Sequence, residues 1–164
     1  VIASLVAAQQ PQVITNLVLI AGWVKTDNQQ LLRNQLSAHL ATTDPEALGQ
    51  FDVLAAFSGT YLASLSEEQV NRIVANMQPT TAFGAKQMEL NRRISIAGVL
   101  GRIAANTLVI GCEQDIMVPV RHQLQLAEAI AGAEFVSVDA GHAVVFERPA
   151  ELATHVLGLV AGTL

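Results

Sequence analysis

The sequence predicts an α/β protein in which a run of helices is inserted into a parallel sheet. Three observations carry this reading. Short, largely apolar runs stand at 17–21, 107–111 and 134–138, each bounded by turn-forming residues. Such runs suit strands of a parallel sheet covered on both faces. Between the first and second runs the pattern is helical throughout, and after the second a single helix pattern follows each strand, the alternation of a layered α/β fold.

Taken in order, residues 1–8 are apolar on every side, as in a helix enclosed by protein, and Pro11 ends it. The first strand, 17–21, stops at Gly22. Leu31, Leu32, Leu36 and Leu40 then form one apolar stripe of a helix. Asp44-Pro45-Glu46 opens the next, with proline at its first position. Ser66-Glu67-Glu68-Gln69 is a capping-box pattern opening the helix of Val70, Ile73 and Met77, which Pro79 stops. Thr80 or Thr81 begins a further helix reaching Arg93. Phe51, Phe57, Tyr61, Met77, Phe83 and Met88 are expected to fill the interior of this stretch. Beyond it come the strand 107–111, a helix from Pro119, the strand 134–138 and a last helix from Pro149. Residues 1–24 and 99–164 thus read as the sheet-bearing core, and 25–98 as a helical cap.

At 164 residues the chain is long enough for a compact domain with a real interior. It is 51% hydrophobic and only 14% charged, with a mean hydropathy of +0.40, far from the composition of disorder. A net charge of −5 and no cluster of Lys or Arg argue against a nucleic-acid surface. Residues 1–24 carry no charge, but Gln9-Gln10-Pro11-Gln12 interrupts them too early for a membrane span. Neither a basic leader nor a cleavage-site pattern is visible, and Cys112 is the single cysteine. A cytoplasmic, reducing location is therefore expected.

The chemistry-bearing residues are Asp115 and His142, which follow the second and third strands. A carboxylate and an imidazole delivered by the carboxyl ends of adjacent parallel strands can share a hydrogen bond, which orients a general base. Cys112 has apolar neighbours and no adjacent base, so a buried, inert thiol is expected. His39, His122 and His155 fall on helices without ligand spacing, and neither a metal nor another cofactor is expected.

Over nearly its whole length the chain resembles the C-terminal half of an α/β-hydrolase-fold enzyme. The resemblance rests on Pro11 to Leu19, on Gly111-Cys112-Glu113-Gln114-Asp115 continuing to Pro119, and on Gly141-His142 followed by Glu147-Arg148-Pro149. It is strongest over 106–149. It implies a partial α/β-hydrolase fold: three parallel strands, flanking helices and a cap, or lid, over the active site. It also implies that His142 is the general base and Asp115 its orienting acid, with Glu113 and Asp27 as rival acids. Asp139 would serve the turn that aims His142. Trp23, which follows the first strand, and Met117 and Val144, neighbours of the acid and the base, are candidate walls of a substrate pocket.

The departure from the family pattern is the nucleophile. The Gly-x-Ser-x-Gly elbow of this family does not occur here; Ser4 lacks flanking glycines and Ser58 falls in the cap. The expected partner is therefore an N-terminal half carrying that serine, as a separate chain or a preceding segment. The function expected is cofactor-free hydrolysis of an ester, lactone or related bond of a small molecule. The alternative is a binding or scaffolding remnant of the fold without catalysis.

Overall fold

The computed structural model describes residues 1–77 and 82–163. Helix α1 (Ile2–Gln9) leads into strand β1 (Asn16–Ile20). The excursion holds α2 (Asn28–Thr43), α3 (Pro45–Ala56), α4 (Gly59–Ser64), α5 (Glu67–Asn76), α6 (Ala82–Asn91) and α7 (Ala97–Leu100). The chain then returns through β2 (Asn106–Cys112), α8 (Val120–Glu128), β3 (Glu134–Val138), α9 (Val144–Glu147) and α10 (Pro149–Ala161). The strands form one parallel sheet in the order β1-β2-β3. Leu17 pairs with Thr107, and Val109 with Phe135. The three strands, the order of elements and the two flanking helices α8 and α10 stand where the apolar runs and proline starts placed them.

Side chains alternate across β2, so one strand builds two interiors. Leu108, Ile110 and Cys112 pack with Val138, Val144 and Leu159 on one face. Val109 joins Ala7, Leu17, Leu19, Leu100 and Leu126 on the other. Each fully buried aliphatic side chain contributes about 1.5–3 kcal/mol over its exposed state. Phe135 lies so close over β2 that a Cβ at Gly111 would stand 2.5 Å from its ring.

Local chemistry sets the helix starts in the excursion. Asp44 caps α3 with Pro45 at its first position, and Ser66 and Gln69 form the expected capping box of α5. A second capping box, Asp27 with Gln30, opens α2. The two ends of the excursion are tied by backbone bonds from Thr26 N to Ile94 O (3.1 Å) and from Ile96 N to Val24 O (2.9 Å).

Helix α2 departs from expectation. Its buried residues are Gln30, Asn34 and Ser37, whereas Leu32 and Leu36 of the expected apolar stripe are exposed. Residues 30, 33, 34 and 37 share one face at helical spacing, so the polar face of α2 is turned inward. Of the expected stripe only Leu32 and Leu36 face out, while Leu31 and Leu40 are half-buried. The expected helix start at Thr80 or Thr81, the stop at Pro79 and the side chain of Phe83 lie outside the described residues. Among the described residues, no helix is long and apolar enough to cross a membrane.

Candidate active site

Two loops at the carboxyl ends of β2 and β3 are zipped side by side. Beyond the last strand pair, Glu113 N donates to Val138 O (3.0 Å) and Gln114 N to Ala140 O (3.0 Å). The first loop then folds back on itself: Asp115 Oδ1 accepts from Val118 N at 2.8 Å. Gln123, fully buried on α8, secures the same loop. It accepts from Cys112 N (3.0 Å) and donates to Val118 O (2.7 Å). Its amide also approaches Asp115 Oδ2 at 3.5 Å. A buried carboxylate needs such partners, because an unpaired one is costly to desolvate.

The second loop is held by the excursion. The backbone of 56–58 passes so near Gly141 that a Cβ there would lie 2.5 Å from Ser58 N and 2.7 Å from Ala56 O. Only glycine fits this approach. Ala143 N donates to Ala56 O at 2.8 Å. Glu147, buried on α9, accepts from Ser58 N (2.8 Å), Ser58 Oγ (2.6 Å) and Gly141 N (3.1 Å). The Gly-His and Glu-x-Pro pieces of the sequence are thus the two halves of one clasp.

Between the loops, His142 Nδ1 lies 2.8 Å from Asp115 Oδ2. An ionised carboxylate only accepts, so facing one Nδ1 is the donor, and in the neutral imidazole that tautomer leaves the lone pair on Nε2. Nε2 has no hydrogen-bond partner among the described residues. The His142 side chain is 32% exposed against 0% for Asp115. It borders a cavity of about 100 Å³ shared with Trp23, Gln30, Arg33, Asn34 and Met117. Trp23 is fixed there by its Nε1–H, which donates to Thr26 Oγ1 at 3.0 Å. The turn that brings it in from β1 includes Ala21 at φ 49°, a left-handed conformation costing about 1–2 kcal/mol for a residue with a Cβ.

Of the residues singled out in the sequence, the structure brings together Asp115, His142, Trp23 and Met117. It does not bring Val144: this side chain is fully buried among Leu108, Val138 and Leu159. The first turn of α9 points it back under the sheet, away from the expected pocket wall. The rival acids are engaged elsewhere. Glu113 accepts from Ser137 Oγ at 2.7 Å on an exposed surface. Asp27 caps α2 and accepts from Arg121 (2.7 Å), while His122 Nε2 lies 3.0 Å away. Burial pushes the Asp27 carboxyl up, but the Gln30 N–H, Arg121 and His122 outweigh it and hold it below its ordinary value. Asp139 accepts from Gln114 Nε2 (2.6 Å), which also reaches Thr60. The Cys112 thiol is pushed up to about 12 by burial, then by Asp115 and Glu147, so it is inert at neutral pH. Among the described residues, no three His, Cys, Asp or Glu converge on a metal position.

Sequence reasoning does not reach Gln123, Ser58 or Arg33, nor any role for Glu147. Gln123 carries a signal: it lies three residues before Leu126 and seven before Ile130, a polar residue on a buried stripe, which calls for partners. Glu147 is likewise an acid following Val144-Val145-Phe146. Arg33 carries none.

The alpha/beta hydrolase fold family matches residues 1–149, and the chain belongs to it. A pyrrolizixenacetamide deacetylase of Xenorhabdus hominickii is 28% identical over 149 residues, covering 89% of this chain and 56% of that protein. An alpha/beta hydrolase enzyme from a Medee basin deep-sea metagenome library superposes with a TM-score of 0.84 at 24% identity, over 98% of this chain and 61% of that one. The enol-lactonase of Burkholderia xenovorans LB400 superposes with a TM-score of 0.81 at 21% identity, over 97% and 61%. The chain spans little more than half the length of the relatives it matches.

Proposed function

We propose that this chain supplies the acid and the general base of a cofactor-free serine hydrolase acting on an ester, lactone or related bond of a small molecule. The carrying observation is the 2.8 Å contact of His142 Nδ1 with Asp115, which leaves Nε2 free on a ring that borders the cavity. In this reading Nε2 takes the proton of a serine hydroxyl as its oxygen attacks the carbonyl carbon. The proton then passes to the leaving group, and water releases the acyl group by the reverse steps. Asp115 stabilises the imidazolium without itself being protonated. Residues 25–98 serve as the lid, with Trp23 and Met117 as pocket walls.

The serine comes from a segment carrying Gly-x-Ser-x-Gly that adds to the sheet at β1. Two features support this partner. β1 pairs only with β2 among the described residues, and a free strand edge invites pairing. Ile2, Leu157 and Val160 are also exposed apolar side chains on α1 and α10. Fluorophosphonate labelling of the assembled protein tests the reading. A labelled serine whose reaction is lost in His142→Ala is expected. An unlabelled, correctly folded assembly would leave a binding or scaffolding role instead.

A further inference from the structure

The inward face of α2 is polar where a cap helix would ordinarily bury apolar residues. Its acceptors are nearly all used. Gln30 Oε1 receives Asp27 N at 3.0 Å, and Asn34 Oδ1 receives Arg33 Nη2 at 2.6 Å. Both amide groups therefore turn their N–H bonds elsewhere; neither nitrogen is among the buried atoms without a partner, so both remain accessible. Arg33 Nε is buried without a partner, as is Ser37 Oγ on the same stripe. Burial pushes the Arg33 guanidinium down from its ordinary value, while Asp52 and Asp115 pull it back up. Neither carboxylate comes within ion-pair distance of it among the described residues. Buried donors left unpaired are costly, and native structures keep few of them.

Arg33, Gln30 and Asn34 line the same cavity as His142. It therefore offers, beside the base, a forked cation and two amide donors whose acceptors are already engaged. Such a wall is complementary to an acceptor-only group carrying negative charge. A guanidinium matches a planar carboxylate with two parallel hydrogen bonds. A cavity of about 100 Å³ suits a group of that size.

We infer that Arg33, with Gln30 and Asn34, binds a carboxylate of the substrate, so that the preferred substrates are esters or lactones bearing an acid group away from the scissile bond. This rests on the hydrolase reading for its catalytic half, but the anion site can be tested without it. The assembled protein is assayed on mono-4-nitrophenyl esters of glutaric, adipic and pimelic acids, each against its neutral methyl diester, after subtraction of background hydrolysis. At the best length the free acid should be favoured in kcat/KM by about 10–100-fold, the range of a charge-assisted hydrogen bond. In Arg33→Gln the ratio of acid to diester should fall to near one, mainly through KM. Arg33→Lys, which keeps the charge without the fork, should fall between. Calorimetry with adipate, dimethyl adipate and inorganic phosphate reads binding separately. Adipate should bind, dimethyl adipate should not, and Arg33→Gln should lose the adipate signal.

Hydrolysis of both esters with a wild-type ratio near one at every length would overturn the inference and leave the hydrolase reading intact. Adipate binding that depends on Arg33, with neither ester hydrolysed, would do the opposite: the anion site would stand and the hydrolase reading would fall. Phosphate binding as tightly as adipate would overturn the carboxylate assignment. Among the described residues Arg33 bonds only to its neighbour Asn34, so its replacement should not unfold the chain. Circular dichroism of each variant checks that.

Discussion

Among the described residues there are two Asp–His pairs of nearly the same length, and their surroundings differ. Asp115 and His142 meet at 2.8 Å, Asp27 and His122 at 3.0 Å. In the first, the acid is sealed, and the imidazole is a third exposed and borders a cavity, its far nitrogen without a hydrogen-bond partner among the described residues. In the second the arrangement is inverted. The His122 side chain is only 5% exposed against 34% for Asp27, and the far nitrogen of His122 is buried without a partner. Arg121 also claims that carboxylate. Distance alone does not separate a base from a brace. What separates them is which member is buried and what the opposite ring nitrogen can reach. The pair at the strand ends is the one we propose to pass a proton outward, whereas the pair at the foot of α2 fastens that helix to α8.

The largest test of this contrast is kinetic. In the assembled protein, Asp115→Asn should lower turnover by about 10⁴-fold by favouring the wrong tautomer of His142, with much less change in substrate binding. Asp27→Asn and Glu113→Gln should stay within about tenfold of wild type in the same assay, a range in which geometry can be disturbed without loss of the base. A large loss from Asp27→Asn with Asp115→Asn near normal would exchange the two roles.

Next in size is the support of the Asp115–His142 pair. Gly141→Ala should cost about 1–3 kcal/mol, because its Cβ meets backbone rather than a yielding side chain. Gly59→Ala, at a position with open space within 4 Å, should be neutral or stabilising by about 0.5–1 kcal/mol. Denaturant midpoints compare the two, and equal midpoints would mean that the 56–58 segment does not hold the histidine loop.

His122→Ala should lower stability by about 1–2 kcal/mol through lost packing and a lost charge-assisted bond. His142→Ala, a more exposed residue, should change it by less. A reversed order would erase the distinction between brace and base. The smallest effect is the acid limb of Asp27. Its carboxyl is held below the ordinary value of 3.8, so its stabilisation is complete above that value and disappears as pH falls through the folded one. Urea midpoints of Asp27→Asn should therefore be flatter than wild type below about pH 4.

The sheet is legible in the sequence because a strand covered on both faces must be largely apolar, as 17–21 and 107–111 are, while 134–138 still shows through Phe135, Val136 and Val138 although Glu134 and Ser137 are exposed. Asp115 and His142 are legible because residues at strand ends converge whatever the rest of the chain does. The face of α2 is not. Periodicity finds the stripe of Leu31, Leu32, Leu36 and Leu40, but it does not say which of them meet the interior: Leu31 and Leu40 are half-buried, Leu32 and Leu36 exposed. Val144 fails on the same ground, since adjacency to a base in sequence fixes no direction once a helix begins. Gln123 and Glu147 bond to backbone groups far away in sequence, and such partners appear only when the loops are closed.

The Glu147 clasp also decides where this protein can be recombined. Its carboxylate reaches across to Ser58, and Gly141 leaves room for the backbone between Ala56 and Ser58. A chimera that imports a foreign helical segment in place of 25–98 would take away the stretch that packs against the histidine loop. Grafts confined to the portion after Ser58 leave that seam whole, and libraries built with the two junctions should differ in the fraction of members that fold.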